Sequence, residues 1–357
     1  MFGMQARLYG GRRCPKRNLC HAHCTPAPER FVEFQYNRQR SPTPPASLPP
    51  PAVTPASSAS STPARTTDTG GLLLASAGAV LFSAKAIVAK LMYRYQVDAV
   101  MVITLRMLLA APLFMAMGWW QSRRAEPLAV PDRWRIVGLG LIGYYLSSFL
   151  DFLGLQYITA GLERLILFLT PSFVLLITST VFKRRITGLQ WMSLALAYAG
   201  IVLVFAHDLN LGGNNVWLGG GLVLASAISY GIYLLASGEL VKRVGSMRLV
   251  AYAMCVSTLA CIVQFLVLRP VSTLVLPWQV YGLSAINSVF CTVAPVTMTM
   301  MAVARVGAPV ASQAGMIGPV STLLLGWWLL GEPITIWQIA GSALVLAGMA
   351  LLSRRRG

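Results

Sequence analysis

Beyond residue 70 the chain divides into ten apolar runs, at about 72–92, 98–119, 134–156, 160–182, 188–206, 216–237, 247–268, 278–300, 306–330 and 334–352. Each is close to the ~20 residues that a helix needs to cross about 30 Å of hydrocarbon. None alternates apolar with polar residues as a barrel strand would, and in lipid every backbone amide must be satisfied within its own segment. The chain is 56% hydrophobic and only 11% charged, against about 25% charged in soluble domains. A soluble fold is excluded. The expected fold class is all-α, a polytopic membrane protein with ten transmembrane helices.

The net charge of +18 would suggest a nucleic-acid partner in a soluble protein. Its distribution excludes that reading. With the N-terminus inside, Arg123, Arg124, Arg133, Arg135, Lys183, Arg184, Arg185, Lys242, Arg243, Arg248, Arg305 and Arg354 to Arg356 fall on inner loops or the C-terminus, and only Arg94 and Arg269 fall outside. Such a positive-inside bias places both termini in the cytoplasm. All nine tryptophans lie near ends of runs, as an interfacial belt requires. The inner (cytoplasmic) membrane is the expected location, with an organelle membrane as the alternative.

Residues 1–70 are of different material, rich in Pro, Ser, Thr and Arg and without an apolar stretch that could build a core. A disordered tail is expected there, with the first run acting as the targeting signal. Its Arg-rich, acid-poor composition is what keeps the organelle alternative open. Cys14, Cys20, His21, His23 and Cys24 match no familiar zinc spacing and are read as incidental. Cys255, Cys261 and Cys291 lie inside runs and are read as small hydrophobes. No metal, cofactor or disulfide is implied.

The body is duplicated. TPSFVLLITSTVFKRRITGLQWMSLALAYAG, from Thr170 to Gly200, aligns with GPVSTLLLGWWLLGEPITIWQIAGSALVLAG, from Gly318 to Gly348, a shift of 148 residues. Pro171 falls on Pro319, Ile186-Thr187 on Ile334-Thr335, Gln190 on Gln338 and Gly200 on Gly348. LASA recurs at 74–77 and 224–227. Two five-span halves, 71–206 and 216–352, joined by the polar linker 207–215, must enter the membrane in opposite senses, because five is odd. Inverted repeats with broken helices at matching places mark a secondary transporter, whose site lies between the halves.

The ten spans, and the P…(E)xIT…Q…G pattern that ends each copy, resemble the drug/metabolite transporter superfamily, in its EamA-like branch. FSAKAIVAKLMYRYQVDAVMVITLRM at 82–107 and LDFLGLQYITAGLERLILFLTPSFV at 150–174 are similar to first-repeat signatures of a bacterial subgroup. The resemblance covers about 71–352 and implies a carrier in the cytoplasmic membrane, often an exporter of metabolites, amino acids or toxic compounds. Gly331-Glu332 precedes the last span, whereas the first copy has Lys183-Arg184 there. A role tied to that glutamate therefore passes to Glu332 alone.

Charges inside spans are expensive and mark function more often than elsewhere. The candidates are Lys85, Lys90, Arg106, Asp151, Glu163 and Arg164, all in the first half. At about 1.5 Å per residue, Lys85 and Asp151 stand roughly 20 Å from the inner end of their spans, and all six fall in the outer half of the membrane. In the functional reading, surplus cation meets an anionic or zwitterionic solute while Asp151 or Glu163 exchanges a proton. In the alternative the charges only lock helices together, with Lys90 and Arg164 reaching toward outer headgroups. Pro171 and Pro319 each clash with the carbonyl four residues earlier, Leu167 and Gly315, which must then find another donor or face a cavity. Gly315 and Gly318 allow close approach beside Pro319. Tyr144 and Tyr145 lie near mid-depth, about 100° apart, so at most one faces a narrow cavity.

The expected function is secondary active export of a small metabolite, amino acid or drug-like solute by alternating access, proton-coupled or by exchange. The chain is expected to act as a monomer or homodimer. A lipid-linked flippase of the same fold is the alternative. A membrane-embedded enzyme is the weaker rival: His207, placed in an outside loop, is the one histidine after the tail, and no HExxH or equivalent motif is present.

Overall fold

The computed structural model describes residues 69–354, apart from 124, 182, 184 and 211–214. The expectations for the tail and its Cys/His group, and for Arg124, Arg184, Arg355 and Arg356, lie outside the described residues. The described residues form ten helical spans, with no strand among them. These are α1 (Thr69–Tyr93), α2 (Ala99–Ser122), α3 (Val130–Leu155), α4 (Ala160–Val181), α5 (Gly188–Asn210), α6 (Val216–Val244), α7 (Ser246–Leu268) and α8 (Trp278–Val306). A broken α9 (Ala308–Ala314, then Ile317–Leu330) and α10 (Ile336–Arg354) complete the set. Of these, α1 to α8 are long and apolar enough to cross a bilayer, and α9 and α10 contribute shorter apolar helices. The protein is an all-α polytopic membrane protein.

Several boundaries differ from those read in the sequence. Helix α1 begins at Thr69, inside the segment assigned to the tail. His207 is not in a loop; it lies on the last turn of α5, with Nδ1 3.7 Å from Asp208. Residues 301–306 extend α8, and the chain turns at Gly307, whose φ of +83° suits glycine. Apolar run lengths could not show these points, because polar helix ends and loops have the same composition.

The packing repeats itself when the two halves are exchanged. Helix α1 packs on α8 and α9, and its counterpart α6 packs on α3 and α4; α2 pairs with its own counterpart α7, and α5 with α10. The self-paired helices run antiparallel. A Cβ on Gly200 would lie 2.5 Å from the carbonyl of Gly341, while one on Gly348 would lie 2.7 Å from that of Ser193. These two approaches are images of each other, since Ser193 and Gly341 stand 148 apart, as do Gly200 and Gly348. Small residues at these crossings let the backbones meet. Equivalent helices of opposite direction make the halves an inverted pair.

Helix defects also recur. Leu141–Leu146 in α3 and Val289–Val293 in α8 are π-helical, again 148 residues apart. Such bulges re-aim side chains and are common at functional sites. α4 breaks at Phe168–Leu169 and α9 at Gly315–Met316, just before the two prolines. In α4 the carbonyl of Leu167 accepts from the Thr170 hydroxyl at 2.7 Å; in α9 that of Gly315 accepts from the Gly318 amide at 3.0 Å. The carbonyl orphaned by each proline is therefore satisfied locally, by residues at equivalent positions. The buried core is aliphatic and aromatic, whereas Trp119, Trp120, Leu266, Val267 and Trp328 are exposed on the outer surface, as lipid contact demands.

Candidate functional site

Two adjoining cavities run into the bundle. The deeper, of about 220 Å³, is lined by Lys85, Arg106, Asp151 and Arg164, together with Phe82, Tyr144, Thr170, Tyr230 and Thr292. The second, of about 630 Å³, is mostly apolar and shares Phe82, Tyr144, Arg164, Leu167, Phe168, Tyr230 and Val296 with the first. Its walls reach Ala75 near the start of α1 and Met349 and Leu352 near the end of α10. The polar chamber thus continues as an apolar vestibule toward the start of α1 and the end of α10.

Within the chamber, Lys85 Nζ is 2.5 Å from Asp151 Oδ2 and 3.3 Å from Glu163 Oε1, with all three side chains almost fully buried. One ammonium serves two carboxylates. Glu163 does not line the cavity but stands behind Lys85, on the first turn of α4. The two arginines have no ion-pair partner among the described residues. Arg106 donates from Nε to Thr292 Oγ1 at 2.7 Å and lies over the Phe152 ring at 5.0 Å, and its Nη1 has no partner. Arg164 lies 5.0 Å over the Phe82 ring, and its Nε has none either. Aromatic faces hold a desolvated cation without neutralising it. Counting Lys85, Arg106 and Arg164 against Asp151 and Glu163 leaves one surplus positive charge.

Glycines admit these side chains. A Cβ on Gly318 would lie 2.6 Å from Arg164 Nη2, and one on Gly143 would lie 2.2 Å from the Tyr233 ring. The latter approach lets Tyr144 join Tyr230 and Tyr233, with the Tyr144 and Tyr233 hydroxyls 3.2 Å apart. Tyr145 faces away and stacks on Phe149. Pro171 and Gly315 line the vestibule; Gly318 backs Arg164, with its carbonyl accepting from Ser83 Oγ at 3.0 Å; Pro319 is buried beside it.

At the opposite end the halves are tied together. Lys90 Nζ meets Glu332 Oε1 at 2.9 Å, and both Glu332 oxygens face the Ala160 amide at the N-terminus of α4, at 3.3 and 3.4 Å. Arg94 donates to the Leu330 carbonyl at 2.8 Å and Tyr93 to that of Phe152 at 2.6 Å. Lys90 therefore does not reach for headgroups; it is held by a carboxylate of the other half. Arg164 likewise is buried in the chamber, over the Phe82 ring and against Gly318, and does not reach a headgroup. The turn that delivers Glu332 uses Gly331 at φ +71°; the matching position of the first half is Lys183, at φ +49°.

Sequence reasoning missed Phe82, Phe152, Tyr230, Tyr233 and Thr292. Apolar and hydroxyl side chains are unremarkable inside spans. For Thr292 a signal existed: it lies 148 residues after Tyr144, on the matching π-helical segment. Among the described residues no group of three His, Cys, Asp or Glu side chains is placed to hold a metal ion.

Comparison with known proteins agrees with this architecture. The sequence pattern of the EamA-like transporter family matches twice, at residues 69–206 and 217–354. The chain belongs to the EamA-like transporter family. An uncharacterized transporter of Bacillus subtilis (strain 168), YcbK, is 30% identical over 302 residues, which is 80% of this chain and 95% of that protein. A probable terminal-alkyne amino-acid exporter of Streptantibioticus cattleyicolor is 25% identical over 212 residues, 57% of this chain and 67% of its own. A solved crystal structure superposes with a TM-score of 0.56 at 18% identity, covering 80% of this chain and 98% of the other. That last likeness speaks to the fold alone. A transporter of this family carries a solute, and the chamber between the halves gathers Lys85, Arg106, Asp151 and Arg164, all buried.

Proposed function

We propose that this EamA-family transporter is a secondary carrier that exports a small zwitterion or carboxylate bearing an apolar group. The observation that carries the reading is the pair of buried arginines, Arg106 and Arg164, each with an unpartnered guanidinium nitrogen and neither in an ion pair among the described residues. A carboxylate entering the chamber would supply the missing acceptor, and charge-assisted pairs of this kind are strong when desolvated. The solute's ammonium would face Asp151, and its apolar part would lie against Phe82, Phe168 and Val296. The name of the Streptantibioticus relative, an amino-acid exporter, supports the same class.

Lys85 is the coupling element in this reading. It neutralises one of two carboxylates, so the Asp151–Glu163 pair retains one negative charge that a proton or the solute's ammonium balances. The positive-inside bias supports a cytoplasmic vestibule in the inner membrane, with the Lys90–Glu332 end facing out. Alternating access then requires that link to part while the vestibule closes. The test is thermal unfolding of the purified protein with a panel of amino acids and simple carboxylates. Stabilisation by apolar amino acids, lost in Arg106→Gln, is the expected result. A panel in which neutral or cationic compounds stabilise as well as carboxylates would overturn the assignment.

A further inference from the structure

A third cavity, of about 580 Å³, shares no residue with the other two and lies where α2 ends and α3 and α7 begin. Helices α3 and α7 cross tightly above it: a Cβ on Gly140 would lie 2.8 Å from the Ala253 carbonyl. Beside that crossing and the end of α2 the cleft has an apolar wall of Ile136, Val137 and Val256.

Its polar lining is cationic. Arg248 is only 8% exposed; it donates from Nη1 to the Glu126 carbonyl at 2.9 Å, and its buried Nε has no partner. Arg133 adds a second guanidinium, exposed and tied to the Leu128 carbonyl at 3.1 Å. The Ser122 and Tyr252 hydroxyls meet at 2.7 Å on the same wall. Among the described residues no carboxylate side chain lines the cleft; nearby Asp132 turns to Arg243 at 3.2 Å and Arg135 at 4.0 Å. Trp119 and Trp120 at the end of α2 and Trp134 at the start of α3 are exposed, with the Arg123 guanidinium 3.5 Å over the Trp119 ring. Exposed indoles of this kind sit at headgroup depth.

We propose that this cleft binds the phosphate of an anionic glycerophospholipid, held between Arg133 and Arg248 with acyl chains along Ile136, Val137 and Val256. Phosphodiester is the chemistry that the unpartnered Nε and the missing carboxylates select. The apolar wall and the indole belt favour a lipid over a free phosphate. A bound lipid would brace the α2–α3 connection against α7, independently of the solute chamber.

Cys255, half-buried on the cleft wall, reports occupancy, while buried Cys261 and Cys291 serve as internal references. The full-length protein in neutral detergent is treated with a maleimide, and modification is followed at each cysteine by mass spectrometry. The additions are phosphatidylglycerol, phosphatidylcholine or sodium phosphate. Phosphatidylglycerol slows labelling of Cys255, whereas phosphatidylcholine and inorganic phosphate do not. In Arg133→Gln, an exposed position that leaves the fold intact, half-protection requires about fivefold more phosphatidylglycerol, the loss expected for one arginine near the membrane surface. Equal protection by both lipids, protection by inorganic phosphate alone, or undiminished protection in Arg133→Gln would each overturn the proposal.

Discussion

Replacing Lys85 by Met tests how the buried charges are balanced. The methionine fills nearly the same volume but leaves Asp151 and Glu163 without the ammonium that now sits 2.5 and 3.3 Å from them. Removing one partner of a buried ion pair costs about 3–5 kcal/mol, because the remaining charge keeps its desolvation penalty. At about 2–4 °C per kcal/mol for a chain of this size, the unfolding midpoint of Lys85→Met falls by roughly 10 °C. Asp151→Asn added to Lys85→Met removes one of the two stranded charges. The double variant therefore recovers several degrees relative to Lys85→Met, although each single change is destabilising. Intrinsic fluorescence during heating of the purified protein in detergent reads all four midpoints of the cycle. A Lys85→Met midpoint within about 2 °C of the parent, or a double variant as low as the two losses added, would refute the shared-lysine account.

Four further outcomes follow from the geometry. Thr170→Val strips the hydroxyl from the Leu167 carbonyl and lowers stability by about 1–3 kcal/mol in denaturant titration, whereas Thr170→Ser stays near the parent. Gly318→Ala puts a methyl 2.6 Å from Arg164 Nη2, so carboxylate binding measured by calorimetry weakens while Gly138→Ala, with open space around its Cβ, changes nothing. Tyr144→Phe loses the 3.2 Å contact with Tyr233 and costs about 0.5–1.5 kcal/mol of stability, against no change for Tyr145→Phe. Lys90→Glu frees the far end and speeds thiol labelling of a cysteine placed at Ala160, and the added change Glu332→Lys slows it again; persistent fast labelling in the swapped pair would show that the link closes nothing.

The ten spans, their inversion and the defect-bearing repeat could be read from the sequence because hydrocarbon thickness and repeat parity leave few solutions. Partners could not. Lys90 and Glu332 stand 242 residues apart, and nothing in either run says that a glycine turn delivers the glutamate to the start of α4. Arg164 could be placed at a headgroup or in a cavity by depth alone; its contacts with Phe82 and Gly318, on two other helices, decide between them. Likewise Tyr144 and Tyr145 are equivalent in sequence, and the π-helical segment under them settles which one meets Tyr230 and Tyr233. A threonine in a span carries no cost that would flag it, so Thr292 could be found only through its 148-residue offset from Tyr144.

Among the described residues the Lys90–Glu332 pair has no counterpart from the other repeat. Where the second half offers Gly331-Glu332, the first has Lys183-Arg184, so equivalent sequence positions of the two repeats carry opposite charge. The side chains of the pair are about one-fifth exposed, Lys90 at 22% and Glu332 at 19%, which leaves them open to screening by dissolved ions. Salt added on that side alone is expected to weaken this one link, so two copies of a single plan can respond unequally to the solutions they face.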